Sequence, residues 1–234
     1  MNNLEKYKSH IVAKGYSQIA GLDFDETWAP VVRIESVRHL FVLAAFLCLF
    51  MLHIDAKSAF LNGESDVELY VQQPEGFVDP RYPYKVLRLN NSLYGLKQAS
   101  RIWYLLLCDT ICSLGFVPSV SDPSIYIHKN LGLIVAVYVD DILVLGDQHK
   151  CDQFFTAISQ HFLMENKGAV TSFLGLNVQR HGKSISINQV GYIQHVIERF
   201  QMTNCKPSKT PLEHSLPLRK GTAMDRRTDQ KSYQ

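Results

Sequence analysis

Long apolar stretches and regularly spaced apolar positions predict the helices of this chain. The segment 33–50, RIESVRHLFVLAAFLCLF, is apolar on nearly every face, which is typical of a helix covered on most sides, and Ser36 is its expected N-cap. The most apolar stretch, residues 40–52, is too short to cross a bilayer. Three further segments with helical spacing are predicted as helices: 97–115, 150–164 and 189–200.

Runs rich in Ile, Val and Tyr predict the strands. The strongest of these runs are SIYIHKNLGLIVAVYV at 124–139 and ILVLGD at 142–147. Weaker strand or extended signals lie at 50–55, 68–77, 84–96 and 184–188. Because strands and helices alternate without internal repeats, the expected fold class is α+β.

Two short segments have a distinct character. AKSAFLNG, residues 56–63, predicts a helical turn closed by Asn62 and Gly63. The segment after Cys205 is rich in proline and has little periodicity, so it is predicted as an extended or disordered connector.

The composition is that of a globular domain, with 46% hydrophobic and 20% charged residues among 234. An acidic zone at 55–79 lies beside basic zones at 80–120 and 183–234. This distribution fits a metal site flanked by phosphate-binding surface, and ordinary solvated surfaces produce it too. Five cysteines without a C-x-x-C pair indicate a reducing compartment rather than a disulfide framework or a structural zinc site. The first ten residues contain no secretory signal.

Three carboxylates are the candidate chemistry. Asp140 and Asp141 fall between two predicted strands, where a tight turn can simply expose them to water. Asp55 also ends an apolar strand, so all three can converge on one point. Such a cluster is repulsive unless a divalent cation relieves it, and hard oxygen ligands favour Mg²⁺, as one ion or as a pair about 4 Å apart. The nine histidines form no ligand cluster and are assigned no catalytic part.

Seven segments with distinctive motifs follow one another along the chain: YKSHIVAKGYSQIAGLDFDETWAPV, LHIDAKSAFLNG, SLYGLKQASRIWY, SDPSIYI, YVDDILVLG, FLGLNV and YIQHVIERFQMTNCKPSKTPL. In this order they resemble the reverse transcriptase domain of copia-type long-terminal-repeat retrotransposon Pol polyproteins. The resemblance implies an RNA-directed DNA polymerase that transfers deoxynucleotides onto a primer with two Mg²⁺ ions, for which Mn²⁺ is a substitute.

The same resemblance implies an architecture: a polymerase palm with an antiparallel sheet and packed helices, partial fingers and a short thumb. The expected divisions are partial fingers at 1–35, a palm with an interleaved fingers segment at 36–170, a primer-grip hairpin and thumb start at 171–205, and the connector at 206–234. The whole chain of 234 residues looks like a piece of a longer polyprotein.

The resemblance also implies roles for individual residues. Asp55, Asp140 and Asp141 match the catalytic, metal-binding carboxylates, and Phe60 matches the aromatic gate that favours deoxynucleotides. The other implied nucleotide-binding residues are Tyr94, Gly95, Lys97, Lys8 and Lys14. The implied primer-binding residues are Tyr138, Leu174 and Gly175. Trp103 and Tyr104 are assigned to core packing.

The implied partners are an RNA or DNA template-primer and deoxynucleoside triphosphates. The resemblance implies no membrane partner and an intracellular, cytoplasmic location.

Two departures from the family pattern are His10, where a finger cation is usual, and Ser100, where Pro is common. Truncated fingers and His10 favour a second hypothesis, a catalytically inactive relic that at most binds nucleic acid. Another palm-type nucleotidyl transferase or cyclase is the third hypothesis.

Overall fold

The computed structural model describes residues 10–209, which form two units, one ending at Val190 and one beginning at Gly191. Lys8 and residues 210–234, most of the expected connector, lie outside the described residues. The first unit contains all the strands and three helices, and the helix at Val190–Arg199 leads into the second. No helix in the described part of the chain is both long and apolar enough to span a membrane.

The helices form close to their predicted positions, with differences at the ends. They are α1 (Ile34–Phe46), α2 (Ala99–Ser113), α3 (Gln148–Ile158) and α4 (Val190–Arg199), and short 3₁₀ helices occupy Gly15–Ser17 and Ala59–Leu61. The turn at Ala59–Leu61 with Asn62 as its C-cap confirms the helical turn predicted for AKSAFLNG.

The prediction that the first helix reaches residue 50 and is covered on most sides is wrong. Cys48 has a left-handed backbone with φ 55°, which no α-helix continues through, and the chain from Phe50 enters a strand. The helix buries Val37 and Phe41, whereas Val42 is 68% exposed and Phe46 82% exposed. α1 therefore has one buried face.

Antiparallel pairing organises the strands into three sheets. A six-stranded sheet has the order β4-β5-β6-β7-β1-β8, a three-stranded sheet has the order β11-β10-β9, and β2 pairs with β3. The strands are β1 (Phe50–Ala56), β2 (Glu64–Gln72), β3 (Val86–Asn91), β4 (Val117–Pro118), β5 (Ile125–His128), β6 (Leu133–Tyr138), β7 (Asp141–Gly146), β8 (Met164–Ala169), β9 (Ser172–Phe173), β10 (Leu176–His181) and β11 (Ser184–Asn188). This mixture of helices and antiparallel sheets confirms the α+β class.

Two strand assignments differ from the sequence analysis. The apolar run at 124–139 is two strands joined by a turn at 129–132, not one. The helix predicted for 150–164 ends at Ile158, and Met164 begins β8, which pairs with β1. A strand at the edge of a sheet needs only one buried face, so β8 lacks the continuous apolar run by which the central strands are recognised.

The central strands of the large sheet are buried on both faces. Leu52 and Ile54 of β1 pack with α2 and α3 on one face, while Met51 packs with α1 and β9 on the other. Because side chains alternate along a strand, His53 and Asp55 follow the parity of Met51. The polar residues of β1 thus share one side of the sheet.

A buried carboxylate from a distant loop caps α1. One oxygen of Asp122 accepts hydrogen bonds from the Arg33 backbone N–H at 3.2 Å and from the Ser36 hydroxyl at 2.7 Å. The other oxygen accepts from the Ser124 N–H at 3.2 Å. The helix begins at Ile34 with Arg33 as its N-cap, so the prediction of Ser36 as the N-cap is wrong. Ser36 lies inside the first turn and contacts the cap.

Replacing this cap tests its contribution to folding. We expect Asp122→Ala to lower the free energy of unfolding by about 2–4 kcal/mol, because Asp122 is 3% exposed and its loss leaves three donors without their acceptor. Urea denaturation measures the change. Asp152→Ala, at an exposed position of α3, is the control and should change stability by less than about 0.5 kcal/mol. Equal losses in the two variants would contradict the capping role.

Candidate active site

A two-residue turn carries the acidic pair. β6 ends at Tyr138, β7 begins at Asp141, and these two residues are register partners, so Val139 and Asp140 form the loop. Val139 has φ 57°, the first-position geometry of a type II′ hairpin turn that glycine usually supplies. A β-branched residue in this conformation costs on the order of 1–3 kcal/mol. The turn is therefore strained, and the surrounding structure must hold it.

Trp103 supplies one such restraint. Its indole Nε1–H donates to the Val139 carbonyl oxygen at 2.7 Å, and the side chain is 1% exposed on α2. The Phe162 ring meets the indole edge-to-face, with centroids 5.0 Å apart. The sequence analysis assigned Trp103 to core packing, which is confirmed, but it missed the hydrogen bond to the acidic turn.

The third carboxylate lies on the neighbouring strand. Asp55 of β1 is the register partner of Asp141, and the Ala56 N–H donates to the Asp140 carbonyl oxygen at 2.8 Å. Like charges directly opposite each other on paired strands repel. Partial removal from water raises the pKa of Asp140, and the charges of Asp141 and Asp55 raise it further. Negative charge at this turn is therefore disfavoured unless a cation is near.

A lysine next to the cluster provides part of that positive charge. Lys57 Nζ lies 2.7 Å from Asp55 Oδ2 and also pairs with Glu165 of β8. The hydrogen bond to Asp55, followed by the one to Glu165, raises the pKa of Lys57. The lysine side chain is 43% exposed, so this ion pair is held weakly.

His53 contacts another member of the cluster. Its Nε2 lies 2.7 Å from Asp141 Oδ1, and its side chain is 15% exposed. The sequence analysis gave the histidines no part because it searched for metal-ligand spacing. Only the register of β1 against β7 shows that His53 and Asp141 meet.

The carboxylates suit a hard divalent cation in their chemistry. Within residues 10–209, no three acidic, histidine or cysteine side chains are arranged closely enough to hold a metal ion. Carboxylate oxygens are nevertheless the ligands that Mg²⁺ prefers. Burial is the main cause of the raised pKa of Asp140, and a cation would relieve the repulsion from Asp141 and Asp55 that adds to it. Because the Lys57 ion pair is exposed, it contributes little to holding Asp55 in place.

Two aromatic rings stand beside the acidic cluster. Phe60 and Tyr94 meet edge-to-face with centroids 5.0 Å apart. Burial, and then the charges of Asp140 and Asp55, raise the pKa of Tyr94. The structure thus brings Phe60 and Tyr94 together, and Tyr94 is close enough to Asp140 and Asp55 for their charges to act on its hydroxyl.

The turn at Gly95 packs backbone to backbone against an N-terminal segment. A Cβ on Gly95, whose φ is 91°, would lie 2.2 Å from the Ala13 carbonyl oxygen. A Cβ on Gly15 would lie 1.9 Å from the Gly95 carbonyl oxygen. The Ala13 N–H also donates to the Tyr94 carbonyl at 2.7 Å. Only glycine permits this approach, which fixes the turn next to the segment expected to be fingers.

The lysines predicted to bind the nucleotide do not contact the carboxylates. Lys97 Nζ lies over the Phe24 ring, 4.8 Å from its centroid, and Lys97 is exposed. Its backbone N–H donates to Gln18 Oε1 at 2.8 Å. Lys14 is exposed beside the 3₁₀ helix, and within residues 10–209 neither lysine forms an ion pair or hydrogen bond with the three carboxylates.

The predicted primer-binding residues fall at two hairpins. Tyr138, 38% exposed, ends β6 opposite Asp141. Leu174 and Gly175 form the two-residue loop between β9 and β10, with φ 48° and 76°, the signs of a type I′ turn. Leu174 is partly buried against the core beneath α1.

Fold and site together define an α+β protein with an acidic hairpin turn at the end of an antiparallel sheet. Residues 2–214 match the family described as reverse transcriptase (RNA-dependent DNA polymerase), and the chain belongs to that family. The resemblance drawn from the sequence motifs is thereby confirmed.

Relatives occur in plants and yeast. The retrovirus-related Pol polyprotein from transposon TNT 1-94 of Nicotiana tabacum is 39% identical, over 93% of this chain and 17% of its own length. The corresponding polyprotein from transposon RE2 of Arabidopsis thaliana is 37% identical, over 95% of this chain and 16% of its own. A putative transposon Ty5-1 protein of Saccharomyces cerevisiae is 34% identical, over 70% of this chain and 55% of its own length. The chain thus spans about a sixth of the plant polyproteins.

The restraint on the acidic turn is testable by removing one donor. We expect Trp103→Phe to lower the free energy of unfolding by about 2–3 kcal/mol, since the Val139 carbonyl loses its partner and the indole volume is lost. Chemical denaturation measures the loss. Trp28→Phe is the matched control, because Trp28 is 68% exposed and should tolerate the same change. A Trp103 variant as stable as the Trp28 variant would show that the indole does not hold the turn.

Proposed function

We propose that this chain is an RNA-directed DNA polymerase domain that adds deoxynucleotides to a primer paired with an RNA or DNA template. The observation that carries the proposal is the position of Asp55, Asp140 and Asp141 on paired strands, beside the rings of Phe60 and Tyr94. Membership of the reverse transcriptase family supports the reaction class.

In this proposal Asp55 and Asp140 hold two Mg²⁺ ions, with Mn²⁺ as a substitute. Held by these residues, the ions would supply positive charge that lowers the pKa of the primer 3′-hydroxyl and stabilises the phosphates. Asp141 contributes negative charge at the rim of the site, and the Trp103 hydrogen bond keeps the turn in place. Preorganisation of this kind reduces the reorganisation needed during the reaction.

The remaining assignments concern the substrates. Phe60 excludes a ribose 2′-hydroxyl, and Tyr94 with Gly95 forms the surface that faces the incoming nucleotide. Positive charge for the triphosphate comes from Lys97, Lys14 and Lys8. The primer end is held by Tyr138, Leu174 and Gly175.

The proposed division of the chain follows these roles. Residues 1–35 form partial fingers, 36–170 the palm with an interleaved fingers segment, 171–205 the primer-grip hairpin and the start of the thumb, and 206–234 a connector. All five cysteines are unpaired, which supports action in a reducing, intracellular compartment such as the cytoplasm.

Primer extension tests the proposed activity. We expect the purified chain to extend a DNA primer on an RNA template with Mg²⁺ or Mn²⁺, and Asp140→Asn to lower the rate by at least about a hundredfold, because the amide cannot supply the carboxylate charge. Asp152→Asn on α3 is the matched control and should extend at the wild-type rate. Binding of primer-template without any extension would instead identify the chain as a nucleic-acid-binding relic.

Sugar discrimination tests the role of Phe60. We expect Phe60→Ala to raise the ratio of ribonucleotide to deoxynucleotide incorporation by about tenfold or more, because the ring no longer occupies the space of the 2′-hydroxyl. The ratio is measured within one preparation, so loss of folded protein affects both terms equally. Phe77→Ala, at a position 82% exposed, should leave the ratio unchanged. Unchanged selectivity in the Phe60 variant would remove this assignment.

A further inference from the structure

His53 lies between two parts of the molecule that are distant in sequence. It is two residues before Asp55 on β1, and its position pairs with Leu143 on β7. Its side chain is 15% exposed, so little of the ring meets water. A polar ring at such a position needs a hydrogen-bond partner.

The first contact of His53 is with the acidic cluster. Because an ionised carboxylate only accepts hydrogen bonds, the 2.7 Å contact with Asp141 Oδ1 means that His53 Nε2 carries the hydrogen. The bond restrains one oxygen of Asp141. Since Asp141 lies directly opposite Asp55, this restraint acts on a carboxylate that repulsion would otherwise move.

The second contact is with the hairpin loop at Leu174–Gly175. The rings of His53 and Phe173 meet edge-to-face, with centroids 5.5 Å apart and an interplanar angle of 83°. Phe173 is 2% exposed and immediately precedes the loop. The imidazole therefore contacts both the base of this hairpin and the carboxylate of Asp141.

We propose that His53 is a positioning residue that sets the hairpin at Leu174–Gly175 relative to the Asp141 carboxylate. The inference rests on the proposed function, which assigns the primer end to this hairpin and the reaction to the acidic turn. The imidazole acts through two separable features. Its Nε2–H donates a hydrogen bond that orients Asp141, and its ring packs edge-to-face against Phe173. His53 itself touches no substrate in this scheme.

Two substitutions separate the two features. His53→Phe keeps a ring against Phe173 but removes the donor, whereas His53→Gln keeps a donor for Asp141 but removes the ring. His149→Phe, at an exposed position of α3, is the control. Extension rates give kcat and the KM for the nucleotide, and fluorescence anisotropy of a labelled primer-template gives its Kd without turnover.

We expect the two variants to fail in different ways. His53→Phe should lower kcat about tenfold with the Kd for primer-template near the wild-type value, because a hydrogen bond to a charged group is lost. His53→Gln should keep most of kcat and weaken primer-template binding about threefold, because an aromatic contact is lost. Combined with Asp141→Asn, the His53→Phe change should lower kcat no further, since residues that act through one contact are not additive.

The outcomes distinguish this proposal from the proposed function. A wild-type chain that binds primer-template but extends no primer overturns the proposed function. An active wild-type chain whose Phe and Gln variants lose kcat and affinity in equal proportion overturns the positioning role, because loss of folded protein alone produces that pattern. Additive losses in the double variant with Asp141→Asn also overturn it.

Discussion

The antiparallel pairing of β1 with β7 is the constraint on which the site depends. Its register places Asp55 opposite Asp141, and the two-residue hairpin then places Asp140 next to both. A shift of one residue would turn Asp55 toward the opposite face of the sheet, among the apolar side chains that pack on α2 and α3. The buried residues on both faces of these strands fix the register, so the core determines where the carboxylates meet.

The carboxylates meet at a cost that other residues offset. Partial burial, and then repulsion from Asp141 and Asp55, raises the pKa of Asp140, and the positive φ of Val139 adds backbone strain. The indole N–H of Trp103 donates to the Val139 carbonyl oxygen and so holds the turn, and Lys57 forms an ion pair with Asp55. Strain of this kind persists where surrounding contacts over-determine the conformation.

The sequence predicted the fold class and most element positions, because apolar periodicity and local motifs are written in consecutive residues. It also singled out three carboxylates, which the register of the strands brings near one another. It failed where the deciding contact is long-range. The cap of α1 comes from Asp122, 89 residues after Arg33, and the edge strand β8 has no apolar run of its own. The contact of His53 with Asp141 spans 88 residues, so no spacing rule for histidines reveals it.

Asp55 and Asp141 have different kinds of partner. Lys57 is 43% exposed and meets Asp55 through a flexible, charged side chain, whereas His53 is 15% exposed and fixed against Phe173. An exposed ion pair dissociates at little cost, while a shielded hydrogen bond between ordered groups does not. Asp55 therefore has a partner that exchanges readily, whereas the protein holds Asp141 in one orientation. This difference is set by Lys57 and His53, which lie outside the acidic turn itself.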